Sequence, residues 1–216
     1  PGKGAIDLVG CRNAIVRGCR LSALGDTMHI QKSDGVIFSD NHITGSRMGA
    51  FFLAEFCRNA TITGNTVDGS NGSRVMSVER SCTDVTIIGN TFRNGGRGSW
   101  INQPRNLVMT GNVFINNTTK GERDPRRGRR SFVTGEWESW PEIYFTTYEE
   151  GATYGPVILR DNVIVTGPEA KAAARFESGG REIVMDGNIL RGATGEILVE
   201  GDAQVTFGHN LGARTK

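Results

Sequence analysis

The chain has 216 residues and a mass of 23.4 kDa, with 25 Lys and Arg against 23 Asp and Glu, 30 Gly and 6 Pro. That length suits one ordinary domain or two small ones, and a net charge of +2 argues against a globally basic nucleic-acid binder. No run approaches the roughly 18 apolar residues of a membrane-spanning helix, and so much glycine with so little proline, and without a Gly-X-Y period, fits neither a linker nor collagen.

The chain opens Pro1-Gly2-Lys3-Gly4, with neither an initiator Met nor a signal peptide, and reads as a piece of a longer protein or a mature form. A short phrase then recurs: Asn59-Ala-Thr-Ile-Thr-Gly-Asn65, Asp84-Val-Thr-Ile-Ile-Gly-Asn90, Asn106-Leu-Val-Met-Thr-Gly-Asn112 and Glu182-Ile-Val-Met-Asp-Gly-Asn188. Looser copies end at Cys19, Asn41, Asn162 and Asn210. The spacings between these anchors are 22, 24, 25, 22, 50, 26 and 22 residues.

Three columns counted from the anchor are apolar. Five residues before it stand Ala14, Val36, Ala60, Val85, Leu107, Val157, Ile183 and Val205. Three before it stand Val16, Phe38, Ile62, Ile87, Met109, Leu159, Met185 and Phe207, and two after it Leu21, Ile43, Val67, Phe92, Phe114, Ile164 and Leu190, with Gly212 breaking the run. Polar or small residues alternate with them, which is the period of a strand with one buried face. A second strand precedes each phrase, with inward residues Leu8, Ile30, Leu53, Val78, Ile101, Phe145, Phe176 and Val199.

A repeat of this length leaves no room for a helical crossover, so coils must stack, each strand pairing in parallel with its copies at roughly 4.8 Å. Stacked anchor Asn side chains are expected to hydrogen-bond along their column. Asn and the preceding Gly are both expected to tolerate the left-handed backbone of a sharp corner. Gly-Asn also marks hairpin turns, but hairpins do not require three apolar columns in register.

Strand, Ile-x-Ile-x-Gly-Asn, strand, repeated along nearly the whole chain, resembles the right-handed parallel β-helix of the pectate-lyase-like superfamily. The resemblance implies an all-β solenoid of about eight coils, one domain over residues 1–216. It also implies a secreted or periplasmic protein acting on a polysaccharide, as lyases, epimerases, polygalacturonases and phage tailspikes of that superfamily do. The motif is architectural, so it carries the chemistry only by association.

The repeat breaks once, in a loop excursion over residues 115–142. Lys120 to Arg130 holds six basic residues, Arg127 and Arg130 among them, against Glu122 and Asp124. Their guanidinium forks suit carboxylates of a polyuronate, although ion pairing within a solvated loop reads equally from them; nucleic acid is not expected as a partner. All three Trp, at positions 100, 137 and 140, and all three Tyr, at 144, 148 and 154, lie in the window from 100 to 154. They suit partly wet contact with sugar faces, or a satellite core against the helix flank.

Outward residues of the first strand can be read as ladders: Asp7, His29, Phe52, Ser77, Trp100, Tyr144, Arg175 and Leu198 in one, then Val9, Gln31, Ala54, Glu79, Asn102, Thr146, Glu177 and Glu200 in the next. One position further out lie Lys32, Glu55, Arg80 and Gln103. In the resembled enzymes such a surface lines the substrate groove. Elimination or C5 epimerisation of a uronate needs a cation, for which Arg80 or Arg175 is the candidate, and proton exchange, for which Tyr144 is the candidate if nearby cations lower its pKa. Lys32 and His29 are alternatives for that proton. Trp100, Asn102, Trp137, Trp140, Arg127, Arg130 and Glu177 are candidate substrate contacts.

Calcium, bound by some superfamily members, would take oxygen from Glu79, Glu177 and Asn102. A glycoside hydrolase instead needs two carboxylates, and Glu177 and Glu200 on adjacent coils stand near the retaining distance. The chain lacks the Arg-His-Gly signature of alginate and chondroitin lyases and the paired Asp of polygalacturonases. A non-catalytic glycan-binding or adhesin module and a structural spacer remain the other readings. Cys57 and Cys82 occupy one column on consecutive coils, as a bridge or as stacked thiols.

Overall fold

The structure is a computed structural model that describes residues 4–46, 49–69, 74–119 and 140–215. The described chain is strand and turn throughout, and no helix in it is long and apolar enough to cross a membrane. Its strands form three parallel sheets of nine, eight and seven strands. Each of the first seven coils donates one strand to each sheet, and the eighth supplies Glu196–Val199 and Val205–Phe207 to the first two; coil 5, for example, runs Ser99–Asn102, Arg105–Thr110 and Val113–Ile115. The architecture is a parallel β-helix of eight coils, with a further short strand, Arg214–Thr215, closing the first sheet.

Strand pairing reproduces the apolar columns read from the anchors. Val85 faces Ala60 and Leu107, Ile87 faces Ile62 and Met109, and Phe92 faces Val67 and Phe114. The inward column of the first sheet aligns as well, with Phe145 between Ile101 and Phe176. These residues are buried in one continuous core. Aromatic rings stack along it: Phe92 on Phe114 at 5.2 Å between centroids and Phe145 on Phe176 at 4.9 Å, near-parallel in both cases. Stacking follows from parallel register, because identical columns place like side chains one coil apart.

The anchor Asn residues form a hydrogen-bonded ladder. The backbone N–H and Nδ2 of Asn90 both donate to Asn112 Oδ1 at 3.0 Å. Asn112 Nδ2 donates onward to Asn162 Oδ1 at 3.0 Å and back to the carbonyl of Ile87 at 2.8 Å. The same pattern runs from Asn41 through Asn65, Asn90, Asn112, Asn162 and Asn188 to Asn210, and Cys19 joins through its backbone N–H. The step from Asn112 to Asn162 spans 50 residues of sequence at the same bond length, so the excursion leaves and rejoins without shifting the stack.

One expectation about the corner needs correction. The anchor Asn residues are not left-handed; the residue before each of them except Asn210 is, as at Gly64 (φ +65°), Gly89 (+63°), Gly111 (+62°), Asp40 (+56°) and Asp161 (+55°). The Asn must aim its amide along the column, so the turn falls on its neighbour. At Gly89 and Gly111 an added Cβ would meet nothing within 4 Å, so the backbone angle alone explains the glycine.

All four Cys are free thiols. Cys57 and Cys82 are buried and donate to the carbonyls of Ala54 and Glu79, each at 3.1 Å. The column holds stacked thiols, and the hydrogen bond with Cys57, then burial, raise the Cys82 pKa.

A second corner holds a buried acid. Glu142, fully inaccessible, accepts the backbone N–H of Asn117 at 2.8 Å. Asn117 in turn accepts the Gly95 N–H and donates to the carbonyl of Phe92 at 3.0 Å. Burial pushes the Glu142 carboxyl up to about 7 from 4.5, with the Asn117 N–H opposing it.

Two measurements follow from these corners. Asn112→Ala removes the acceptor for both Asn90 donors inside the stack, and urea denaturation should show a loss of about 3 kcal/mol, against about 1 kcal/mol for Asn210→Ala at the half-buried end. The folded protein holds the Glu142 proton more tightly than the unfolded chain, so stability should fall as pH rises between 4.5 and about 7. Glu142→Gln keeps the acceptor without the charge. It should abolish that slope and raise stability at pH 8 by about 3 kcal/mol, read from thermal unfolding across pH.

Candidate functional site

The outward columns of the first sheet stand as the alternation predicts. His29 faces Phe52, Ser77 faces Trp100, Trp100 faces Tyr144, and Tyr144 faces Arg175. In the neighbouring column Asn102 faces Thr146, and Glu79, Glu177 and Glu200 continue it past the strand ends through backbone N–H bonds to Leu53, Phe145 and Phe176. Coils 4 to 8 therefore carry a strip of aromatic, cationic and acidic side chains on one face.

Glu177 organises the lower half of the strip. The hydroxyl of Tyr144 donates to one of its carboxylate oxygens and that of Thr146 to the other. Tyr154 bonds the backbone carbonyl of Glu177 at 2.9 Å. The Arg175 guanidinium lies 3.7 Å from Glu177 and 2.9 Å from Glu200, and 5.1 Å from the Tyr144 ring centroid. Arg175 and Glu177 are both 7% exposed, so this pairing is screened little by solvent.

That geometry alters the expected chemistry of Tyr144. Burial raises its pKa first, and the hydrogen bond and charge of Glu177 raise it further; Arg175 pulls the other way and is outweighed. The condition attached to Tyr144 as a proton acceptor, a pKa lowered by cations, is not met. The group is a neutral phenol that donates.

The upper half is built around Trp100. The guanidinium of Arg74 sits 4.4 Å from its ring and 5.4 Å from that of Trp140, a cation–π sandwich. Arg74 also pairs with Glu79 at 3.5 Å, and the Tyr148 hydroxyl donates to the other oxygen of Glu79 at 3.0 Å. Trp100 meets Tyr148 edge to face at 5.5 Å, and Trp140 meets Tyr144 in the same way at 5.2 Å. The aromatics thus join the two halves into one cluster.

Of the residues picked from sequence, Tyr144, Arg175, Glu177, Trp100, Asn102, Trp140 and Glu79 share this strip. Arg80 borders it: its backbone is left-handed at the strand end, it pairs with Glu55 at 2.5 Å, and it lies 5.9 Å from the Tyr148 ring. Lys32 shares that Glu55, at 3.4 Å. His29 bonds Asp7 and Gln31 at the far end of the sheet. Lys32 and His29 belong to coil 2, four coils and roughly 19 Å from Tyr144 at ~4.8 Å per coil, so they do not converge with it. Trp137, Arg127 and Arg130, and most of the excursion, lie outside the described residues.

The proposed calcium ligands do not converge either. Glu79 and Glu177 stand three coils apart, roughly 14 Å of column, and each is engaged by an Arg and by tyrosine or threonine hydroxyls. Among the described residues no group of three His, Cys, Asp or Glu could hold a metal ion.

Arg74 and Tyr148 were missed as site residues. Arg74 shares the inward parity of Met76 and Val78, and only its position at the strand start, opposite Gly49, lets the long side chain turn outward. Tyr148 reaches Glu79 from 69 residues away, a contact that aromatic clustering hints at and spacing cannot specify.

Comparison with known proteins places this geometry in context. A family model described as "Right handed beta helix region" matches residues 1–122, more than half of the chain. Among solved structures, the catalytic unit of a thermostable GH87 alpha-1,3-glucanase from Streptomyces thermodiastaticus strain HF3-3 superposes with a TM-score of 0.53 at 16% identity. The match covers 96% of this chain and 45% of that one, so the chain spans under half of the glucanase unit, and the likeness is one of fold. The fluoroquinolone resistance protein QnrB1 matches at 11% identity over 98% of this chain and 91% of its own, with a TM-score of 0.28 that carries no argument. No curated protein matches the sequence. The chain belongs to the right-handed β-helix family.

Proposed function

We propose that the outward face of the first sheet binds a polysaccharide across coils 4 to 8 and that the protein cleaves it as a glycoside hydrolase outside the cytoplasm. The observation that carries the reading is the aromatic cluster of Trp100, Trp140, Tyr144 and Tyr148 set against the Glu177 carboxylate. Flat apolar ring faces suit the C–H faces of sugars, and a fixed carboxylate beside them suits acid–base or nucleophilic work at a glycosidic carbon. Glu177 and Glu200 occupy adjacent coils and contact one Arg175 nitrogen, at 3.7 and 2.9 Å. A column spacing of roughly 4.8 Å is close to the ~5 Å that separates carboxylates in retaining enzymes.

Hydrolysis is favoured here over elimination and epimerisation. Those reactions need a proton acceptor at C5 and a cation available to the uronate carboxylate. Tyr144 keeps its proton and donates a hydrogen bond to Glu177, and Arg175 already faces two carboxylates. The similar glucanase is named for a polysaccharide substrate, which supports that ligand class and not an acidic one. The acidic-polymer expectation rests on the basic run from Lys120 to Arg130, outside the described residues. One feature supports the second reading, a glycan-binding module without turnover: the described cations of the strip are each paired with a carboxylate.

A panel of neutral glucans and polyuronates separates these readings by two signals, new reducing ends and the absorbance of unsaturated uronate. Reducing ends without unsaturated product are expected, and Glu177→Gln and Glu200→Gln should each lower the rate by roughly 100-fold or more. Unsaturated product would establish elimination, and retention of glycan with no product would establish the binding module.

A further inference from the structure

We propose that Asn102, together with the indole N–H of Trp100, reads a pair of neighbouring hydroxyls on an uncharged sugar, and that Tyr148 is the cap that moves aside to admit it. This rests on the polysaccharide reading above and narrows its substrate class.

Asn102 is 0% exposed, and neither its Nδ2 nor its Oδ1 has a hydrogen-bond partner; the Trp100 Nε1 lacks one as well. Buried amides without partners are rare, because the desolvated group forfeits its bonds to water. The corner ladder shows what this fold does with a structural Asn: the carbonyl and amide of Asn112 are both engaged. Asn102 stands instead in the outward column, two residues from Trp100, in the middle of the strip. Its column neighbours are committed elsewhere. Thr146 donates to Glu177, and the oxygens of Glu79 take Arg74 and Tyr148.

The chemistry of the unpaired atoms defines what fits them. A carboxamide offers donors on one side and an acceptor on the other, and the indole adds a donor. A uronate carboxylate, a sulfate or a phosphate-monoester dianion brings acceptors only, and would leave Asn102 Oδ1 facing lone pairs. Adjacent hydroxyls bring both roles and satisfy both ends. The charges of the strip agree with this assignment, since a uronate would have to displace Glu200 or Glu177 from Arg175, or Glu79 from Arg74.

Tyr148 supplies the cover. It leaves the chain just past Thr146 on coil 6, lies against Trp100 on coil 5, and bonds Glu79 on coil 4, so it crosses the coil on which Asn102 stands. At 40% exposure it is the outermost ring of the cluster. A ring held at the rim by a bond to Glu79 can swing outward without disturbing the core.

The test measures binding of the folded chain to an array of neutral glucans, mannans and xylans printed with polygalacturonate and alginate, with thermal unfolding of each variant alongside. The wild type is expected to retain a neutral member and not the polyuronates. Asn102→Leu and Asn102→Asp should each weaken that retention at least 10-fold. Asn102→Leu should also raise the melting temperature, because it removes a buried amide without partners. Tyr148→Phe, which loses the bond to Glu79, should strengthen retention severalfold. Retention unchanged in both Asn102 variants overturns the inference while leaving the polysaccharide reading standing, as does a polyuronate bound in preference to every neutral glycan. Unchanged retention in Tyr148→Phe overturns the cap. A wild type that retains no glycan overturns the polysaccharide reading and this inference with it.

Discussion

A parallel coil has to close on itself at the same point every time, because each strand's backbone pairs only with the coil before it and the coil after it. The corner at which the second sheet gives way to the third is where that demand is hardest to meet. Backbone amides turn inward there, away from both water and the ladder, and need partners of their own. The Asn carboxamide meets the demand with a single side chain: its oxygen takes two donors from one neighbouring coil, and its nitrogen reaches the other. Register between coils is therefore set by a repeated polar contact inside an otherwise apolar tube. The same contact explains how the chain can leave after coil 5 and return to coil 6 with the stack intact.

Fixed register turns a linear sequence into columns, and the outward columns of the first sheet acquire their character from it. Parallel stacking brings like positions within ~5 Å, so charges placed there must find opposite partners along or beside the column. Arg175 with Glu177 and Glu200, Arg74 with Glu79, and Arg80 and Lys32 with Glu55 are the outcome. Aromatic rings fill the space between these pairs and tie coils 5 and 6 together, and the Tyr148 hydroxyl and Arg74 extend the tie to coil 4. Against so much mutual satisfaction, Asn102 at the centre, with both ends of its amide unpaired and the Trp100 Nε1 unpaired beside it, is a place where the fold has kept hydrogen-bonding capacity unused.

Much of this was legible beforehand, and the parts that were not have definite causes. All three apolar columns and both outward ladders fall where counting from the anchors places them, since a period of two combined with a fixed repeat leaves one register. Six of the named site residues gather on one strip for the same reason, and Trp140, read from the aromatic clustering, joins them from just before the strand. Lys32 and His29 were grouped with Tyr144 because a ladder read from sequence carries no sense of distance along the axis. Tyr144 was a proton-exchange candidate only if nearby cations lowered its pKa, and that condition fails because burial first, and then the Glu177 carboxylate, raise it against the pull of Arg175. Arg74 escaped because a side chain at a strand start is not bound by alternation.

The sequence by itself determined the architecture: the spacing of Gly-Asn anchors, the alternation around them and the lack of room for helical crossovers admit only stacked coils. It also determined which residues share each face, because register converts position in the repeat directly into position on the solenoid. Only the tertiary structure decided which of those residues act together. Tyr148 bonding Glu79 across two coils, Arg74 turning over Trp100, and Tyr144 and Thr146 sharing one carboxylate are contacts between side chains far apart in sequence. Their geometry depends on side-chain reach and on competition for partners, neither of which a repeat encodes.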